Sequence, residues 1–144
     1  MTLETVLERL GLPVEVAEGG AARFKVDDKV VVQLELTSDH QHLLLRSAVG
    51  HSHDTGPSEL TREIAVANYA GAASGGGSLG LNPINGEILL FAQLPSAVIG
   101  SQALEVAVTR FVDAALYWHE RLLALGESST FDTLDQAMPN WVRA

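Results

Sequence analysis

The chain has 144 residues, 18 of them acidic and 9 basic, for a formal net charge of −9, and it contains no cysteine. A single domain of this length buries roughly 68–70% of its unfolded surface and needs no staple to fold. The missing thiols exclude cysteine catalysis, thiolate zinc sites and disulfides, and the scattered Arg and Lys residues lack the basic patch that nucleic acid requires.

Leu3, Val6, Leu7 and Leu10 repeat at i, i+3, i+4, i+7, the spacing of one helical face. Thr2 caps this short helix, Gly11 ends it in a left-handed conformation, and Pro13 prevents its continuation. Glu4, Glu8 and Arg9 interrupt the apolar pattern, so the segment is not a signal peptide. Nowhere does an apolar run approach the ~20 residues that span a bilayer. The expectation is a soluble cytoplasmic protein without membrane insertion.

The period then changes to two. Ala22, Phe24 and Val26 alternate with Arg23, Lys25 and Asp27; Val30, Val32, Leu34 and Leu36 alternate with Val31, Gln33 and Glu35. With the run His42–Val49 these segments predict a three-stranded antiparallel meander, one face packed and one mostly polar. Val31 and Leu44 are apolar intrusions on the polar side. Gly50 to Ser58 reads as a loop, followed by a helix over 59–73 with Ser58 as its cap and an Ala- and Gly-rich face suited to close approach by a neighbour. The glycine-rich run Ser74–Gly80 is a linker rather than a phosphate loop, because no Lys-Ser or Lys-Thr pair follows and a strand comes next. Residues 79–84 and 87–94 form a hairpin about Asn85-Gly86, ended by Pro95. Its second strand, Ile88–Leu94, has a single polar residue, Gln93, and so needs cover on both faces.

The last element carries the clearest pattern. Leu104, Val108, Phe111, Ala115, Trp118, Leu122 and Leu125 are spaced 4, 3, 4, 3, 4, 3, which predicts a helix from Gln102 to Leu125. At ~1.5 Å per residue it is long enough to cross a whole sheet. Gly126 is expected to stop it, leaving 127–144 as a loosely ordered tail that Trp141 could pin. The order helix, three strands, helix, hairpin, long C-terminal helix packed on a sheet defines an α+β fold, with residues 1–126 as one domain.

Few residues suggest chemistry. His51, His53 and Asp54 lie close together, but a metal site needs a further ligand, and His40 and His42 sit at a different loop edge. His119 and Glu120 are adjacent and do not share a helical face, and no Ser, His and Asp spacing forms a nucleophile elbow. The expectation is therefore no catalytic residue, no metal and no cofactor: a binding protein rather than an enzyme.

Gly86-Glu87, the apolar strand Ile88–Leu90, Leu94-Pro95, and Phe111 and Trp118 seven residues apart, together with Arg9–Pro13 closing the first helix, resemble the class I type III secretion chaperones, the Tir-chaperone-like family. The resemblance spans about residues 1–126; the glycine-rich run before the hairpin and the tail depart from it. It implies a cytoplasmic homodimer in a Gram-negative bacterium that binds the N-terminal segment of a secreted effector in extended form. The effector is held soluble and secretion-competent without ATP, and the secretion ATPase complex is a further candidate partner. On this basis Leu3, Val6, Leu7, Phe24, Val31 and Leu44 are expected to form the effector-binding patch. Ile64, Asn68, Ala72, Leu79, Leu81, Leu89 and Phe91 are expected to form the dimer interface. The alternative from a different class is a small-molecule or regulatory binding domain of the same layout.

Overall fold

A computed structural model describes residues 8, 11, 15–16, 21–52, 57–71 and 75–136, with the backbone alone for 15–16, 57–58, 70 and 127–136. The first predicted helix thus lies outside the described residues apart from Glu8 and Gly11. Gly11 has φ +65° and its N–H donates to the Glu8 carbonyl, the helix-ending geometry expected of it.

Among the described residues six strands form one antiparallel sheet: β1 (Glu15–Val16), β2 (Ala22–Val26), β3 (Val30–Leu36), β4 (His42–His51), β5 (Ser78–Leu81) and β6 (Glu87–Pro95). Their spatial order is β1-β2-β3-β4-β6-β5. The meander and the hairpin are therefore not separate units, because β6 pairs along the whole of β4. Among the described residues the sheet is accompanied by α1 (Pro57–Asn68) and α2 (Gln102–Gln136), with short 3-10 turns at Tyr69–Gly71 and Ser96–Val98.

The turns follow from local chemistry. Asp27 and Asp28 both take positive φ, 52° and 54°, and the Lys29 N–H closes the turn on the Val26 carbonyl at 2.9 Å. The two positive φ and the closing bond are those of a primed turn, set in a three-residue loop because Val26 pairs with Val30. The second hairpin differs from the expected two-residue Asn85-Gly86 turn. Its strand ends at Leu81 and the loop runs from Asn82 to Gly86. Asn82 Oδ1 accepts the Ile84 N–H, and Asn85 Oδ1 accepts the Glu87 N–H. These side-chain bonds offer the backbone a longer turn, a capacity of asparagine that the dipeptide signal alone does not convey. The glycine-rich run ahead of β5 is also more than a linker: a Cβ at Gly77 would lie 2.3 Å from the Phe91 carbonyl oxygen, so only glycine fits.

One face of the sheet carries the core. Phe24, Val32, Leu34, Leu45, Ile88 and Leu90 are buried there. Across them lies α2, with Leu104, Val108, Phe111, Ala115, Trp118 and Leu122 all buried, as the seven-residue repeat requires. Burying a large apolar side chain contributes about 1.5–3 kcal/mol, so this stripe anchors the helix. Two ion pairs add orientation: Lys29 Nζ to Glu120 Oε1 at 2.6 Å, and Arg121 to Glu63 of α1 at 2.7 Å.

Both helix ends depart from expectation. The helix α1 starts at Pro57, so Ser58 is inside it rather than at its cap; proline tolerates the first turn because its absent N–H has no helical partner there. The helix α2 runs through Gly126 to Gln136, so Gly126 does not end it. Glycine stops a helix by adopting positive φ, and Gly126 is not among the residues that do. In an ordinary helical conformation it costs only about 1 kcal/mol relative to alanine. Trp141 lies outside the described residues.

Candidate functional site

The face of the sheet opposite the core follows from the same alternation. Val31, Leu44, Ala48, Leu89 and Phe91 point to it, and none of them belongs to the core cluster or to the residues packed against it. Register joins them: Ala48 lies opposite Leu89, Arg46 opposite Phe91, and Leu44 opposite Gln93. Val31 is 44% exposed, whereas Leu44, Leu89 and Phe91 are half-buried. On this face Ala48, Leu89 and Phe91 lie on the adjoining strands β4 and β6, Val31 lies on β3, and Leu44 stands between Glu35 of β3 and Gln93 of β6.

Arg46 stands in the middle of this surface, flanked along β4 by Leu44 and Ala48. Its Nη2 donates to Glu35 Oε2 on β3, so the pair is neutral as a unit. The Arg46 Nε–H is buried and has no partner among the described residues. A buried donor without a partner is costly and is relieved by any acceptor placed over it. The face therefore combines apolar side chains with polar groups, Gln33, Glu35, Gln93 and the unpartnered Arg46 Nε–H, the mixed composition of a protein-binding surface.

A second surface lies on α1. Leu60 and Ala67 are buried and Ile64 packs on the core. Turned away from them are Arg62, Ala65, Val66 and Tyr69, all exposed, with Val66 at 63% and Tyr69 at 80%. Their spacing of three and four makes one stripe. Exposed valine and tyrosine on one stripe, beside the β5 end of the sheet, form an apolar patch of the kind that marks association.

The residues expected from the sequence fall as follows. In the effector set, Leu3, Val6 and Leu7 lie outside the described residues. Val31 and Leu44 share the outer face. Phe24 does not join them: it is 3% exposed in the core. Its own alternation with Lys25, which sits opposite the outward Val31, places it on the inner face. In the interface set, Leu89 and Phe91 lie on the same outer face as Val31 and Leu44, so the two expected sets meet on one surface. Leu81 is exposed at the sheet edge, and Ala72 lies outside the described residues. Leu79 and Ile64 are inward, and Asn68 is engaged with the Leu79 backbone, so these three do not present side chains to a partner across α1. The outward Val66 and Tyr69 were missed. The helical phase 62, 65, 66, 69 would have found them.

Charged groups elsewhere serve the fold. A hydrogen bond and the charge of Lys29 hold the Glu120 carboxyl below the ordinary carboxylate range, and the same contact raises the Lys29 ammonium. Asp39 is held low by the Thr37 hydroxyl and the Gln41 N–H in the β3–β4 turn. No cluster of three or more potential metal ligands occurs among the described residues, and His53 and Asp54 lie outside them. None of the described helices is long and apolar enough to cross a membrane.

Residues 2–119 match the model of the Tir chaperone protein (CesT) family. A search of curated proteins finds no match. Among solved structures, a chain of the ExsC–ExsE complex is 26% identical with a TM-score of 0.66, the likeness covering 85% of this chain and 97% of that one. The Yersinia pestis type III secretion chaperone SycH, in complex with a stable fragment of YscM2, is 27% identical with a TM-score of 0.60, covering 81% and 95%. The heterodimeric ExoU–SpcU complex of the type III secretion system of Pseudomonas aeruginosa shares the fold, with 18% identity, a TM-score of 0.63, and coverage of 86% and 97%.

Proposed function

The chain belongs to the Tir chaperone protein (CesT) family, and from that premise we propose that it is a cytoplasmic type III secretion chaperone, which binds the N-terminal segment of an effector. The observation that carries this reading is the outer sheet face. Val31, Leu44, Ala48, Leu89 and Phe91 are five apolar side chains on this one face, all outside the core cluster. An acidic chain of net charge −9 keeps such a surface in solution without hiding it. An extended segment that buries its apolar side chains there, and offers a carbonyl or carboxylate to the free Arg46 Nε–H, gains area and one directional bond together. The segment loses conformational entropy on ordering, so a broad face rather than a single pocket suits the task. Binding of this kind uses surface complementarity and requires no ATP and no cofactor. The type III secretion chaperone SycH was solved in complex with a fragment of YscM2, and the ExsC–ExsE structure is likewise a complex.

The working form is a homodimer. The α1 stripe of one protomer faces the Leu89 and Phe91 end of the sheet in the other, an isologous arrangement in which each copy contributes both surfaces. The Val31 and Leu44 end, with Leu3, Val6 and Leu7 of the first helix, is left for the effector. Co-expression with candidate effectors followed by pull-down tests the reading. Leu44→Asp is expected to abolish effector capture while leaving the dimer mass and the thermal transition unchanged. Capture at the wild-type level by Leu44→Asp would place the effector elsewhere.

A further inference from the structure

The strand β5 ends the sheet, so its far side has no neighbouring strand among the described residues. In antiparallel pairing, residues alternately bond their partner and turn their backbone groups outward. The Asn82 N–H donates to the Glu87 carbonyl, which makes Gly80 opposite Leu89 the next bonded pair. Leu79 and Leu81 are then the residues whose N–H and C=O face the open edge. Such an edge is a template for another chain. Natural edges are blunted by charge, proline or a bulge, but β5 reads Ser78-Leu79-Gly80-Leu81 and carries no charge and no proline.

Asn68 supplies what the strand sequence lacks. Its Nδ2 donates to the Leu79 carbonyl at 2.9 Å, and its Oδ1 accepts the Leu79 N–H at 2.7 Å. A carboxamide is a peptide group in miniature, with one acceptor and a donor set at the same spacing. Both outward groups of Leu79 are thereby occupied as a further strand would occupy them. The side chain is held in place by α1, which docks through Leu60, Ile64 and Ala67 and through the Glu63–Arg121 ion pair. Asn68 is the last residue of α1, and its amide meets Leu79 within the four-residue β5.

We propose that Asn68 is an edge plug: it closes β5 to strand addition, so that neither a second copy of this chain nor any other extended segment extends the sheet on that side. The plug acts on backbone groups alone and does not depend on the effector reading.

The full chain tests this with three variants. In Asn68→Ala, hydrogen exchange of the Leu79 amide is expected to accelerate by roughly five- to tenfold or more, the loss of about one hydrogen bond. Light scattering is expected to show species larger than wild type that grow with protein concentration. Leu81→Pro removes an outward N–H and obstructs a docking strand, while Gly80 tolerates the extended backbone that precedes proline. The double variant Asn68→Ala with Leu81→Pro is therefore expected to return to the wild-type size, and Leu81→Pro alone to match it. Wild-type exchange and size in Asn68→Ala would overturn the proposal. So would association that persists in the double variant, because it would come from loss of fold rather than from an open edge.

Discussion

Asp28 shows how a single residue can carry a conformation that its side chain disfavours. With φ +54° it occupies the left-handed region, next to Asp27 at +52°. Each such residue other than glycine costs up to roughly 1–2 kcal/mol, less for aspartate than for most. The turn is retained because its twist is the one that β2 and β3 require. The Asp28 side chain is 95% exposed and meets Lys25 only at 3.6 Å, a contact of little worth in solvent. Asp28→Gly is therefore expected to raise stability by about 0.5–1 kcal/mol, the relief of the left-handed cost less the added freedom of the unfolded glycine. Urea unfolding followed by Trp118 fluorescence measures it; an unchanged or lowered midpoint would show that the aspartate is not strained there.

At the scale of elements, what was legible in the sequence was whatever periodicity alone determines. Six buried positions of α2 and the inward set of β2 and β3 follow from spacing, since one phase error would send a whole set of side chains to water. Phe24 was legible by the same rule, and its assignment to the outer patch failed because residue type was weighed above phase. The outward Val66 and Tyr69 went unread, although helical phase places them together. What was not legible depends on partners distant in sequence. Nothing near Gly126 announces that α2 continues, and nothing near Asn68 announces that its amide meets Leu79. The contact of Gly50 with α2 is of this kind. It sits at the irregularity in the β4–β6 register, where a Cβ would lie 2.8 Å from Leu122 Cδ1 and 3.2 Å from its Cβ. Gly50→Ala is expected to destabilise the fold by about 1–3 kcal/mol through overpacking. In a Leu122→Ala background the same substitution should cost less, by at least about 0.5 kcal/mol of coupling. Equal costs in both backgrounds, read from urea midpoints, would mean that the glycine serves the bulge and not the helix contact.

For the whole molecule, the question left by the sequence was what covers a strand with two apolar faces. The core and α2 cover one face of β6, through Ile88 and Leu90. The other face presents Leu89 and Phe91 outside the core cluster, and a second apolar stripe, Ala65, Val66 and Tyr69, lies on α1 beside the adjoining strand. Two apolar surfaces at one end of a small chain satisfy each other in an isologous pair, where each contact occurs twice. A stable pair of this kind buries about 800 Å² on each partner, with energy concentrated in a few aromatic anchors. Tyr69, at 80% exposure, is the anchor such an interface would bury. Light scattering at micromolar concentration is expected to give twice the chain mass of 15.3 kDa. Tyr69→Asp places a charge where the partner's apolar face should dock, and a hot-spot loss of about 2 kcal/mol or more weakens association roughly 30-fold or more. Its mass should fall toward the single chain on dilution, with the thermal transition of the dilute protein otherwise cooperative. Leu44→Asp, on β4 opposite Gln93, should keep the double mass. A wild-type protein that runs as a single chain would remove the dimer, and a Tyr69→Asp dimer as tight as wild type would move the interface off α1.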